Sequence, residues 1–174
     1  LLDDSFDAKI SDFGISRLVN TKKTLYTEHV IGSIGYMDPL FVRDGRLTVK
    51  GDVYSFGVVL LELFSRKKAT IEDGKASILD LFTEALARGI TRVNKMFDNE
   101  IVNENNMEIL ELVGKLISEC SRMERVKRPE MIDVAERLRM LSKALNQERH
   151  SKPVEVITPI KTWATEWCRY FSFA

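Results

Sequence analysis

The order of apolar and polar positions along the chain predicts a mostly helical fold. Between Val49 and Phe64 apolar side chains occupy nearly every face, as in a helix that is buried on all sides. We predict that this helix, over 48–64, is the central element of the core. Residues 8–13 instead alternate small or apolar side chains with polar ones and stop at Gly14, a pattern typical of a short strand that enters a turn.

Three further helices are predicted to pack around the central one. The first, over 77–88, begins at a capping box formed by Ser77 and Asp80. The other two follow from apolar stripes at helical spacing over 109–120 and 131–145. The sequence therefore predicts a core of one buried helix and three flanking ones.

Two parts of the chain lack sustained periodicity. Residues 15–46 are rich in hydroxyl groups and turn residues, which predicts a long loop with a functional role. Beyond Gln147 the helical pattern lapses, and 148–174 is predicted to be a tail. An aromatic stripe closes this tail, formed by Trp163, Trp167, Tyr170 and Phe171. Such a stripe can dock on the folded domain, in a partner groove or at a membrane surface, and packing or disorder is favoured over membrane binding.

Composition narrows the class of protein. The chain has 174 residues, of which 44% are hydrophobic and 30% charged, values that fit one globular domain plus a tail. Basic and acidic residues number 26 each, so neither a nucleic-acid surface nor a polybasic membrane anchor is indicated. Cys120 and Cys168 stand alone, which argues against disulfides and zinc and favours a reducing, intracellular setting.

No apolar run reaches the roughly 20 residues that a membrane-spanning helix needs. The sequence opens on Leu1 without an initiator methionine or a signal-like segment, so we expect an interior cut or a truncated product.

Four short motifs follow one another along the chain. They are Lys9-Ile10-Ser11-Asp12-Phe13-Gly14, Gly32-Ser33-Ile34-Gly35-Tyr36-Met37-Asp38-Pro39, Lys50-Gly51-Asp52-Val53-Tyr54-Ser55-Phe56-Gly57 and Lys127-Arg128-Pro129. Each alone is a weak signal, but four in this order are hard to imitate. Together they resemble the protein kinase family, over a stretch that runs from about Leu1 to Asn146.

The second and third motifs are similar in sequence to those of plant receptor-like serine/threonine kinases of the wall-associated or malectin-like type. This resemblance implies a mainly α fold, namely the C-terminal (large) lobe of the protein kinase-like fold, with the N-lobe and the catalytic loop missing. It also implies a partial kinase domain over 1–147, followed by the tail over 148–174.

The resemblance assigns roles to individual residues. Asp12 would bind the Mg²⁺ that bridges the ATP phosphates, Phe13 would pack inward, and Gly14 would allow the backbone to swing. The substrate-facing loop would contain Ser33, Gly35, Tyr36 and Pro39. No catalytic base is present, since the family's base is expected upstream of Leu1.

Asp52 would be a buried acid that holds the backbone of the catalytic loop. The residue also has a simpler explanation, because an acid in the first turn of an apolar helix is favoured by the helix dipole and can accept unpaired backbone N–H groups. A plain helix-capping role is therefore the alternative.

The long loop carries candidate phosphorylation sites, which are Thr21, Thr24, Tyr26 and Thr27. Arg17 and two lysines are interspersed among them, so an added phosphate would find cations nearby. In the family, ordering by phosphate depends on an arginine that would precede this chain. A merely solvated polar loop is the alternative for each hydroxyl.

Two departures from the family pattern stand out. Leu40 occupies the position of a glutamate whose usual buried partner is Arg128, so we expect Arg128 to lack a counter-charge and the activation segment to be loose. The sequence also contains no glycine-rich nucleotide loop, no strand lysine with its helix glutamate, and no His-Arg-Asp loop. The chain alone is therefore predicted to be inactive.

The resemblance implies that the complete domain uses ATP and Mg²⁺ to phosphorylate serine or threonine of protein substrates. The parent would act in receptor-linked signalling at the cytoplasmic side of the plasma membrane, whereas the fragment alone would be cytosolic. The alternative is a non-catalytic fragment or pseudokinase-like module that binds other kinases or substrates through its helical surface. No nucleic-acid partner is expected.

Overall fold

A computed structural model describes residues 3–5, 9–11, 13–18, 25–27, 29–69 and 76–151, apart from the side chains of 104 and 146–151. Helices dominate this part of the chain. They are α1 (Pro39–Asp44), α2 (Val49–Ser65), α3 (Ile78–Ala87), α4 (Ile90–Asn94), α5 (Met107–Cys120) and α6 (Met131–Ser151). Two short strands, β1 (Leu25–Tyr26) and β2 (Arg46–Leu47), pair in antiparallel fashion, and 3₁₀ turns occupy Glu104–Asn106 and Arg125–Lys127.

The predicted central helix is confirmed as α2. The Thr48 side chain caps its start by accepting the Gly51 N–H, and Arg66 ends it in the left-handed region at φ 54°. Val58 and Leu61 of α2 are fully buried, at the middle of a core to which α3, α4, α5 and α6 also contribute. Burial on several faces of one helix follows from its nearly continuous apolar sequence.

The close approach of α2 and α5 depends on a glycine. A Cβ atom added to Gly57 would lie 2.7 Å from Cβ of Cys120. The two backbones can therefore cross at this point because position 57 carries no side chain.

The three flanking helices are confirmed as α3, α5 and α6. In α3 the capping box forms as predicted, with the Ser77 hydroxyl accepting the Asp80 N–H and the Asp80 carboxylate accepting the Ser77 N–H. Helices α1 and α4 were not predicted, because six and five residues are too few to display a helical period.

The strand predicted over 8–13 is wrong for the part that the structure describes. Lys9 to Ser11 and Phe13 have no regular structure, and the strand pairing seen in the described residues is that of β1 with β2. A strand needs a hydrogen-bonded neighbour, and alternation in the sequence cannot supply one. The predicted tail from residue 152 onward, with its aromatic stripe, lies outside the described residues. Among the described helices none has the length and apolarity to cross a membrane.

Candidate functional site

The predicted substrate loop crosses one face of α2 and is bonded to it twice. The Ser55 hydroxyl donates to the Tyr36 carbonyl oxygen at 2.8 Å, and the Tyr36 hydroxyl donates to Oε2 of Glu62 at 2.8 Å. Ser55 and Glu62 share a face of α2 because they are separated by about two helical turns. Tyr36 is thus held at both its backbone and its side chain.

The Glu62 side chain, which accepts the Tyr36 hydroxyl, is fully buried, with no solvent exposure. Its other carboxylate oxygen accepts the Ala69 N–H, so the acid joins the substrate loop to the segment that follows α2. A buried carboxylate is tolerated only when donors surround it. Burial, and next the hydrogen bond to Glu62, raise the pKa of Tyr36 far above its ordinary value, so the phenol keeps its proton and remains a donor.

Asp38 anchors the other end of the loop. It is the N-cap of α1 and accepts the Leu40 N–H at 2.9 Å. The same carboxylate is paired with Arg128 through both oxygens, at 2.7 Å and 2.9 Å, and it also accepts from Nε of Arg125 at 3.2 Å. Burial alone would raise the pKa of Asp38, but the hydrogen bonds from Arg128 and the Leu40 amide outweigh it and hold the pKa below its ordinary value.

The expectation that Arg128 lacks a counter-charge is therefore wrong. Arg128 and Asp38 are each 2% exposed and form a bidentate pair. Leu40 stands where the resemblance implies an acid, yet Asp38 lies only two positions earlier, as the N-cap of the same helix, and supplies the counter-charge. The remaining N–H groups of Arg128 donate to the carbonyl oxygens of Arg122, Lys50 and, at 3.5 Å, Met123, which leaves the guanidinium fixed.

Arg125 extends this charged cluster to the far end of α1. Its two terminal nitrogens bond the two carboxylate oxygens of Asp44 at 2.9 Å and 3.0 Å, and Nη2 also donates to the Arg46 carbonyl oxygen at 3.3 Å. The hydrogen bonds from Arg125 lower the pKa of Asp44 to about 2. Both ends of α1 are thereby tied to the connection between α5 and α6.

Asp52 lies in the first turn of α2, as predicted, but the expected burial is not observed. The residue is exposed and borders an open cavity of about 480 Å³ that Ser33 and Arg17 also line. Neighbouring atoms still exclude enough water to raise the pKa of the Asp52 carboxyl.

The activation motif is described only in part. Asp12 lies outside the described residues. Phe13, which was expected to pack inward, is 65% exposed, and a turn follows in which the Ser16 N–H donates to the Phe13 carbonyl oxygen. Gly14 belongs to this turn.

The remaining predicted residues fall into two groups. Ser33 is exposed, Gly35 has φ 94° and so favours glycine, and Pro39 opens α1. Of the candidate phosphorylation sites, Tyr26 and Thr27 lie at the β1–β2 ribbon, whereas Thr21 and Thr24 lie outside the described residues.

Metal binding was expected at Asp12. Within the described ranges, no group of three or more acidic, histidine or cysteine side chains is arranged to hold a metal ion. Asp12, the residue expected to bind the ion, lies outside these ranges.

A mainly helical lobe built around one buried helix, with the segment from Ser33 to Pro39 hydrogen-bonded across that helix, fits the large lobe of a protein kinase. The family model for protein tyrosine and serine/threonine kinases matches residues 1–138, and the chain belongs to this family.

Similarity extends to plant receptor kinases. The chain is 38% identical over 144 residues to wall-associated receptor kinase 3 of Arabidopsis thaliana, a match that covers 81% of the chain and 19% of the relative. Wall-associated receptor kinase 4 of the same plant is 39% identical over 144 residues, with the same coverage of 81% and 19%. A probable serine/threonine-protein kinase of that plant is 35% identical over 145 residues, which are 81% of the chain and 39% of the relative. The predicted resemblance to plant receptor-like kinases is confirmed, and the chain spans well under half the length of these relatives.

Three residues of the site were not predicted, namely Asp38, Glu62 and Arg125. Features of the sequence could have identified two of them. Asp38 precedes a proline at a helix start, the usual place of an N-cap. Glu62 interrupts the longest apolar run of α2, where an unpaired carboxylate is costly. Nothing in the sequence indicated Arg125, since its partners lie 81 and 87 residues away.

Proposed function

We propose that this chain is the substrate-binding half of a serine/threonine protein kinase domain in receptor-linked signalling. In the complete domain, ATP with Mg²⁺ supplies the γ-phosphoryl group, and serine or threonine of a protein accepts it. Asp12 would hold the metal ion there, as its place in the Asp-Phe-Gly motif suggests. For a receptor-anchored parent, the domain would lie at the cytoplasmic side of the plasma membrane.

The main support for this proposal is that the predicted substrate loop is held in place at two of its residues, Tyr36 and Asp38. Tyr36 is bonded to α2 at both ends, and Asp38 is locked to Arg128 in a buried pair. A peptide substrate needs a rigid platform, because positioning supplies much of the rate in phosphoryl transfer. The segment from Ser33 to Pro39 forms such a platform.

We further propose that the residues of this chain alone do not transfer phosphate. The sequence contains neither a glycine-rich phosphate loop nor the His-Arg-Asp base, and Asp52 faces an open cavity. Thermal unfolding with and without Mg-ATP tests this. A ligand at a hundred times its dissociation constant stabilises a protein by about 2.7 kcal/mol, so binding would be visible. We expect no change in the midpoint, and a clear rise would contradict the proposal.

Activity is tested by completing the domain. The N-lobe and catalytic loop of wall-associated receptor kinase 3 can be joined to Leu1, and the product assayed for phosphate transfer to a protein mixture. We expect transfer to serine and threonine, and we expect Asp12→Asn to abolish it. Phosphotyrosine as the main product would contradict the assigned specificity.

The alternative is a non-catalytic module that binds other kinases or their substrates. The exposure of Phe13 and of the neighbouring apolar residues Ile15 and Leu18 favours a partner surface here. A completed domain that folds, as judged by cooperative unfolding, yet transfers no phosphate would favour this second function.

A further inference from the structure

Helix α6 carries apolar side chains on the side that faces away from the core as well as on the side that packs against it. Val134 is fully buried, and Leu138 and Leu141 pack against the same core. Ile132 and Met140 lie on the opposite side of the helix and are 65% and 63% exposed. They are separated by about 12 Å along the helix axis, which is just over two turns.

Two charged side chains lie between these apolar ones. Glu136 and Arg139 are exposed, and neither forms an ion pair within the described part of the chain. We refer to Ile132, Glu136, Arg139 and Met140 as the outer face of α6. A methionine sulfur and an arginine guanidinium both bind well against aromatic rings, and a carboxylate accepts the N–H of an indole. The outer face of α6 therefore fits a ligand that is rich in aromatic side chains, tryptophan above all.

A segment of this kind follows α6 in the same chain. Helix α6 ends at Ser151, and the sequence continues over 152–174, which lies outside the described residues. Four aromatic residues of this segment recur at helical spacing, namely Trp163, Trp167, Tyr170 and Phe171. From Trp163 to Phe171 the separation in sequence is the same as from Ile132 to Met140, so the two sets match in length when both are helical.

The connecting residues are long enough for the aromatic segment to turn back along α6. Met140 lies about 16 Å from Ser151 along the helix axis, whereas residues 152–162 can extend to about 36 Å. Pro153 and Pro159 interrupt a helix and so favour a change of direction here. A short tether also gives the attached segment an effective concentration of about millimolar, which favours it over a separate partner.

We propose that the aromatic segment from Trp163 to Phe171 binds to the outer face of α6 of its own chain. Trp163 would lie near Met140 and Phe171 near Ile132, because the chain runs back toward the start of the helix. Among the sites open to the aromatic stripe, this selects the folded domain and names its surface. The proposal is independent of the proposed function, since it requires no phosphate transfer.

Tryptophan fluorescence of the full 174-residue chain tests the proposal directly, because Trp163 and Trp167 are its two tryptophans. Binding removes the indole rings from water, so we expect emission at shorter wavelength and weaker quenching by acrylamide than in the chain unfolded in urea. Ile132→Glu and Met140→Glu each place a charge in the contact and should shift the emission to longer wavelength. Emission that neither substitution changes would overturn the proposal.

Leu81→Glu is the matched control, because Leu81 is a 44% exposed apolar residue on α3. It should leave the emission of the parent unchanged, and an equal shift in this variant would overturn the proposal. Emission that moves to shorter wavelength only as the protein concentration rises would assign the aromatic segment to a second copy of the chain. A shift that appears only with anionic phospholipid vesicles would assign it to a membrane surface, and either result would also overturn the proposal. Circular dichroism verifies that the exposed substitutions leave the fold intact.

Discussion

Arg128 and Asp38, which are 90 residues apart in sequence, form a buried bidentate ion pair with Nη1–Oδ2 and Nη2–Oδ1 distances of 2.7 Å and 2.9 Å. The pair connects the start of α1 to the residues that precede α6. It gives Arg128 a counter-charge although Leu40 stands where the resemblance implies a glutamate. Asp38 lies two positions before Leu40, as the N-cap of α1.

Asp38→Asn is expected to destabilise the fold strongly. The change leaves Arg128 buried without a counter-charge, and breaking a buried pair in this way typically costs about 3–5 kcal/mol. Urea unfolding monitored by circular dichroism measures the loss. Asp44→Asn is the matched control, because Asp44 also pairs with an arginine but at the surface, and it should have little effect. Equal losses in the two variants would show that burial of the Asp38 pair is not decisive.

The same pair predicts how stability depends on pH. The folded pKa of Asp38 lies below its ordinary value, so the unfolded chain, with a pKa of about 3.9, takes up the proton first. The contribution of Asp38 is therefore complete at neutral pH and is lost as the pH falls through the folded pKa. Unfolding free energies of the parent and of Asp38→Asn should converge as the pH falls from neutral through about 3.9, the unfolded pKa, and below. A difference that stays constant over this range would contradict the assignment.

Elements that neighbouring residues specify could be predicted from the sequence, whereas a contact between distant residues could not. Helix α2 could be predicted because a nearly continuous apolar stretch specifies it. Helix α3 could be predicted because its capping residues, Ser77 and Asp80, lie within four residues of each other. The partner of Arg128 could not be predicted. Family likeness pointed to the position of Leu40, and only the folded chain shows that Asp38, as the N-cap of α1, directs its carboxylate toward Arg128.

For Asp52, the position in the fold could be predicted from the sequence but the burial could not. Sequence placed this acid correctly in the first turn of α2, since that is a local property. Its burial depends on what packs over it, and in the described structure the side chain is exposed. The role that the resemblance implies for Asp52, holding the backbone of the catalytic loop, stays a prediction.

Tyr36→Phe is expected to destabilise the protein by roughly 1–3 kcal/mol, because the buried Glu62 carboxylate loses a hydrogen-bond donor while the ring is kept. Hydrogen exchange of the amides from Ser33 to Met37 should also become faster. Tyr26→Phe is the matched control, since it removes the same atom from an exposed ring and should change stability by less than about 0.5 kcal/mol. Unchanged stability and exchange in Tyr36→Phe would show that the bond to Glu62 does not hold the loop.

Two glycines of α2 should respond to alanine with opposite signs. In Gly57→Ala the new Cβ lies 2.7 Å from Cβ of Cys120, and overpacking of this kind costs about 1–3 kcal/mol. In Gly51→Ala the nearest atom outside the helix backbone is Oγ1 of Thr48 at 3.9 Å, so the restricted unfolded chain should raise stability by about 0.4–1 kcal/mol. Thermal and urea unfolding of both variants measure these changes. Cys120→Ala keeps the obstructing Cβ atom and should not rescue Gly57→Ala, and a rescue would mean that the thiol, rather than the approach of α5 to α2, limits the space at position 57.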